Sequence, residues 1–212
     1  MMAKEKTTET FSFNKENQKK IKEILEKYPS NQKRSAVMPL LDLAQRQNDG
    51  WVSEAAMEEI ARIIEMPRIK VFEVATFYTM YNFKPIGEHL LQFCGTTPCM
   101  LSGSEEIMTA CQKHLGVKMG ETTKDGKFTL KEVECLGGCV NAPIVQINDD
   151  YYEDLTPETM VGILKSLKKG EKPEHGSQTG RLRSCGKCGP TTLSQQAKEA
   201  GVKMADKVSE AG

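Results

Sequence analysis

The chain has 212 residues, enough for one large domain or two small ones with a sizeable core. Its 29 basic and 29 acidic side chains cancel, which excludes a general attraction to nucleic acid or to an anionic membrane. No run approaches the roughly 18 apolar residues of a membrane span, so direct membrane insertion is not expected.

The start, Met1-Met2-Ala3-Lys4-Glu5-Lys6, lacks an apolar signal core, and Glu5 and Glu9 argue against an Arg/Ser-rich transit peptide. Seven cysteines in such a chain point to a reducing compartment and to metal or redox use. Cytoplasm is the simplest reading, and a processed matrix protein would look the same.

Residues 1–12 are polar and read as a disordered N-terminus. From Asn14, the residues Ile21, Ile24, Leu25 and Tyr28 follow the spacing of one helix face, which Pro29 ends. Ser35 reads as the cap of a second helix with Val37, Leu40, Leu41 and Ala44 inward and Pro39 at its fourth position. After the turn Asn48-Asp49-Gly50, Ser53 opens a third helix carrying Met57, Ile60, Ala61 and Ile64. Pro67 starts a fourth, with Val71, Phe72, Val74, Ala75, Phe77 and Tyr78. Residues 13–85 therefore predict a helical domain.

The outline from Val52 to Tyr78 also suits a helix-turn-helix DNA reader. Residues 1–85 carry 14 Lys+Arg against 12 Asp+Glu, a net of +2, and the would-be recognition helix offers only Arg68 and Lys70 near its start. That is a poor phosphate footprint, so no nucleic-acid partner is expected. The aromatic cluster Phe72, Phe77, Tyr78, Tyr81 and Phe83 reads as a docking face toward the second domain or a partner, or as core.

Pro85-Ile86-Gly87 marks a boundary, and residues 86–170 predict a second domain. Leu90-Leu91-Gln92-Phe93 is a short strand ending at Cys94. Thr97-Pro98-Cys99 reads as N-cap, first helical residue and a cysteine in the first turn. A helix with Ile107, Cys111 and Leu115 inward follows, and Cys111 reads as a small core residue rather than a ligand. Phe128-Thr129-Leu130 begins a strand toward Cys135. Ile144 to Ile147 is a buried strand, and Tyr151-Tyr152-Glu153 returns after the turn at Asp149-Asp150. Thr156-Pro157 caps a last helix with Met160, Ile163, Leu164 and Leu167 inward, stopped by Gly170. Residues 171–212 lose apolar content and read as an extended or disordered tail. The pair Cys185/Cys188 lies there with neither a preceding strand nor a full zinc ligand set, and reads as exposed reduced thiols.

The chemistry gathers at Cys94-Gly-Thr-Thr-Pro-Cys99 and Cys135-Leu-Gly-Gly-Cys139. Four thiolates in two pairs suit a [2Fe–2S] cluster, one pair per iron. Structural zinc usually takes tighter knuckles, and zinc and plain buried thiols stay as the alternatives. A plant-type ferredoxin run would need a cysteine at 102, where the chain has Ser102. A Rieske centre would need two His ligands, but His89, His114 and His175 lie outside these loops. Gly137 and Gly138 let the backbone turn its amides toward sulfur. The order β-α-β-β-β-α, with cysteines at strand ends and loops, is that of a thioredoxin-like ferredoxin domain, and the whole chain reads as α+β.

Four segments carry a family resemblance: Ala75-Thr76-Phe77-Tyr78, Thr96-Thr97-Pro98-Cys99-Met100-Leu101, Gly120-Glu121-Thr122-Thr123, and Val133-Glu134-Cys135-Leu136-Gly137-Gly138-Cys139-Val140-Asn141-Ala142-Pro143. Residues 12–185 resemble the [2Fe–2S] subunit of respiratory complex I, the E-type subunit of the NADH dehydrogenase module. The resemblance implies that Cys94, Cys99, Cys135 and Cys139 bind the cluster. It also implies a partner subunit holding FMN and the NADH site, within the peripheral arm on the inner face of an energy-transducing membrane. Gly95 stands where the family commonly has Thr, and the Cys185/Cys188 pair departs from it. No G-x-G-x-x-G or P-loop gives this chain a nucleotide site, and no catalytic acid–base set is evident. The matching subunit of a soluble NAD-linked hydrogenase or formate dehydrogenase would share these motifs, and a zinc-stabilised non-redox binding module is the remote alternative.

Overall fold

The computed structural model describes residues 10–182, 184–185 and 193–201. The chain divides into two compact units, Met1–Ile86 and Gly87–Gly212.

In the first unit, helix α1 (Lys15–Glu26) begins where the Asn14 side chain accepts a hydrogen bond from the Asn17 amide at 2.8 Å. Helix α2 (Val37–Gln47) is preceded by a 3₁₀ turn over Ser30–Ala36. Ser35 therefore caps nothing. It lies inside the 3₁₀ turn, which runs into α2 so that backbone carbonyls occupy the place of a capping side chain. Pro39 is third, not fourth, in the helix, still among the positions whose N–H has no intrahelical partner. Helices α3 (Glu54–Ile63) and α4 (Arg68–Phe77) follow, with the Ser53 hydroxyl capping α3 through the Ala56 amide at 3.2 Å. Leu40, Leu41, Val52, Ile60 and Val71 form the heart of this unit's core. Phe77 stays largely exposed, with Met80 and Phe83 near it in sequence also open.

The second unit is a five-stranded sheet in the order β2-β1-β3-β4-β5. Its strands are β1 (His89–Cys94), β2 (Phe128–Val133), β3 (Val145–Ile147), β4 (Asp150–Glu153) and β5 (Gly176–Ser177). Between β1 and β2 the chain crosses over through α5 (Thr97–Leu101) and α6 (Ser104–Leu115), so this pair is parallel. Strand β3 runs antiparallel to β1 and turns back into β4, after which α7 (Pro157–Lys168) packs beside α6. Side chains of one sheet face (Leu91, Phe93, Phe128, Leu130) meet Ile107 and Cys111 of α6 and Met160 and Leu164 of α7.

The order β-α-β-β-β-α is present, with two additions. The crossover helix is broken at Gly103, which adopts a left-handed conformation. The segment after Gly170 is not free. Gly176 and Ser177 pair in parallel with Tyr152 and Glu153 as β5, and the Gln178 amide bonds the Glu153 carbonyl at 2.9 Å. A short helix, α8, spans Ser194–Glu199. Cys188 lies outside the described residues. Among those residues no helix is long and apolar enough to cross a membrane.

Candidate metal centre

Each of the four expected thiols is set at the end of a regular element or in the loop beside it. Strand β1 is an interior strand of the sheet and carries Cys94 as its last residue, paired with Val133 of β2. Cys99 is the third residue of α5. Both are buried, at 2% and 1% exposure, and share a small cluster with Ile144, flanked by Leu136, Ala142 and Tyr151. Cys135 follows β2, and Cys139 opens a 3₁₀ turn (Cys139–Asn141); both are exposed.

The two exposed sulfurs are 3.8 Å apart. Two thiolates sharing one tetrahedral metal ion, with metal–sulfur bonds of about 2.3 Å, lie about 3.8 Å apart, so this pair already has the bite of a ligand pair. The Tyr151 hydroxyl donates to the Leu136 carbonyl at 2.8 Å and fixes the loop between the two cysteines. Gly137 sits at φ 82°, a conformation that favours glycine, and its amide points at Cys135 Sγ at 3.4 Å. A Cβ at Gly138 would press on the tip of the Ile144 side chain, which would have to shift.

Donors converge on the buried pair as well. Burial alone would push the Cys94 thiol up. Hydrogen bonds from the Thr96 hydroxyl at 3.2 Å, from the Leu136 and Thr96 amides and from the Cys99 thiol outweigh it, and the net shift is downward. Cys99 goes the other way. Burial and the neighbouring Cys94 raise its thiol to about 11, with only the Ile144 amide opposing. The pairs also sense one another, since charge on Cys94 raises Cys139 and charge on Cys139 raises Cys99. Among the described residues, no three His, Cys, Asp or Glu side chains are already drawn into a single metal-binding group. The thiols instead stand as two pairs on facing loops. Backbone amides directed at sulfur are what an anionic, thiolate-ligated cluster requires, so the donor set fits the group.

One expectation about this site shifts. The helix cap is Thr96, not Thr97, and its hydroxyl is not used for capping because it faces the Cys94 sulfur. Helix α5 is only five residues long, so individual amides rather than a helix dipole supply the positive potential. Thr96, Tyr151 and Ile144 escape a reading of the sequence. Their contributions are a hydroxyl in a Thr-Thr pair, a strand residue, and a backbone amide just past a proline, none of which marks a site by itself. Cys111 lies in the sheet–helix core, away from the four, and burial raises its thiol to about 12.

A mixed sheet with two helices on one face and two pairs of thiols at one end defines a thioredoxin-like domain with a candidate metal centre. The chain belongs to the thioredoxin-like [2Fe-2S] ferredoxin family, whose pattern it matches over residues 21–168. It is 58% identical over 158 residues to the E-type subunit of NADH-quinone oxidoreductase from Rickettsia bellii (strain RML369-C), a match covering 74% of this chain and 95% of that protein. It is 52% identical over 183 residues to the mitochondrial NADH dehydrogenase [ubiquinone] flavoprotein 2 of Dictyostelium discoideum, covering 86% and 74% respectively. Among solved structures, a crystal structure of an NAD+-reducing [NiFe]-hydrogenase in its H2-reduced state shares the fold, with a TM-score of 0.55 at 18% identity. That match covers 64% of this chain and 23% of the hydrogenase chain.

Proposed function

We propose that this chain is the [2Fe–2S] electron-transfer subunit of the NADH-oxidising module of a NADH:quinone oxidoreductase. In this reading Cys94 and Cys99 hold one iron, and Cys135 and Cys139 the other. The cluster supplies one-electron chemistry, exchanging single electrons with FMN on a partner subunit that also binds NADH. The chain's own residues ligate it, shield one side of it and direct N–H groups at sulfur. The module would sit peripherally on the inner face of the energy-transducing membrane.

The observation that carries the proposal is the placement of two thiol pairs on facing loops, each with amide donors, in a chain 58% identical to a component of NADH-quinone oxidoreductase. Purified without oxygen, the full chain should be brown and hold about two irons and two labile sulfides; a colourless protein with about one zinc would overturn the reading. In the assembled module, Cys135→Ser should abolish the paramagnetic resonance signal of the reduced cluster and raise peroxide yield. An unchanged signal would remove Cys135 from the ligand set. The equivalent subunit of a soluble NAD-linked hydrogenase or formate dehydrogenase would behave alike in isolation. The proteins that co-purify with a tagged chain, flavin included, separate these cases.

A further inference from the structure

The segment after α7 returns to the site, and one side chain reaches the turn that carries Cys139. Arg181 Nη1 donates to the Val140 carbonyl at 3.0 Å, one residue beyond Cys139. Its Nη2 lies 3.1 Å from Asp154 Oδ1, with the two side chains only 17% and 7% exposed. Ser177 of β5 completes the anchor. Its hydroxyl donates to Asp154 Oδ2 at 2.6 Å and accepts from the Arg181 amide at 3.1 Å.

Asp154 grips the same turn by its backbone. It lies in the left-handed region at φ 52°, and its amide donates to the Asn141 carbonyl at 2.8 Å. The Asn141 side chain in turn donates to Glu153 at 2.8 Å. The 3₁₀ turn over Cys139–Asn141 is thus held from β4 below and from Arg181 beyond it.

A buried ion pair is a poor means of stabilising a fold, because desolvation offsets most of the attraction. Here the desolvation is incompletely offset: Arg181 Nε is buried without a hydrogen-bond partner among the described residues. An aliphatic side chain could close the same strap. A planar fork holds its two N–H groups in fixed directions, and here it bridges a carboxylate and a backbone carbonyl at once. The geometry assigns Arg181 as a positioning residue for the second thiol pair: delivered by the segment 176–181, its guanidinium clamps the Val140 carbonyl and thereby holds Cys139 at its 3.8 Å spacing from Cys135. The inference deepens the reading of this site as a cluster centre and rests on it for its purpose.

The test uses the full chain, natively and as Arg181→Met, Arg181→Lys and the double variant Asp154→Asn with Arg181→Met. The double variant removes the carboxylate that loss of the guanidinium would strand, so it separates support of the fold from placement of the turn. The amides of Asn141 and Ala142 bond the Gly138 and Cys139 carbonyls within the turn and report its opening. In the double variant the melting temperature should return to the native value. The two amides should still exchange about tenfold faster, as expected for one lost charge-assisted hydrogen bond. Iron should also leave the loaded double variant for a chelator several-fold faster than it leaves the native chain. Arg181→Lys should fail to restore either rate. Native exchange and native iron release in the double variant would overturn the assignment, leaving Arg181 as a neutraliser of Asp154 alone. An iron-free native chain would refute the cluster reading instead, and the exchange measurement would still decide the role of Arg181.

Discussion

Three cysteines of the second unit differ sharply as acids, and the differences come from local donors and burial. Cys94 has a hydroxyl and two amides on its sulfur and shifts down, while Cys99, equally buried with one amide, rises to about 11. Cys111 has none of these partners and rises to about 12, so at pH 8 in the folded metal-free chain it should resist a thiol reagent that labels Cys135 and Cys139 first. Cys111→Ala should leave the iron content unchanged and lower stability by about 1–2 kcal/mol, read from a urea midpoint. Loss of iron in that variant would contradict its placement in the core. His89 offers a pH test outside the site. Burial lowers its pKa, with Lys127 helping and Glu88 opposing. The unfolded chain therefore takes up the proton first as pH falls through about 6.5. The contribution of neutral His89 is present above that value and is lost as pH drops toward the lower folded value. Between pH 8 and pH 5.5 the native chain should lose more stability than His89→Gln, and equal losses would show that His89 is not the group responsible.

Helix starts show how far local chemistry can be trusted. At Ser53 and Thr156 a hydroxyl stands directly before an apolar helical pattern, and both are caps. The Thr156 hydroxyl accepts from the Thr159 amide at 3.2 Å, and the Thr159 hydroxyl accepts from the Thr156 amide at 2.9 Å. Thr156→Ala should cost about 1 kcal/mol, moving the urea midpoint without changing the slope. A drop far larger than this would mean that α7 is held mainly by its cap rather than by Met160 and Leu164. Ser35 and Thr97 carry the same local signal and are not caps, because the decision is made by neighbours the sequence does not announce. A 3₁₀ turn takes the place of the first, and at the second the helix starts one residue earlier, with the Thr96 hydroxyl at a sulfur. The strands are legible from short apolar runs. The parallel register of β1 with β2 is not, since it follows from the crossover through α5 and α6.

Across the whole chain, the four thiols and the helical pattern of the first unit can be read from spacing alone. The strap formed by residues 176–181 cannot. Two residues of a glycine- and serine-rich segment have no periodicity, and what recruits them is the carboxylate of Asp154 some twenty residues earlier. Its consequence is that the turn over Cys139–Asn141 is contacted by a segment whose composition reads as a loose tail. The unequal burial of the thiols has a consequence for traffic. Cys94 and Cys99 are walled in while Cys135 and Cys139 face outward, so on the proposed ligation the shortest path for an electron to a partner leaves by the Cys135/Cys139 side. An antibody fragment seated on residues 135–140 should slow filling and emptying of the loaded chain by the same factor, and slowing of one alone would reveal a second route.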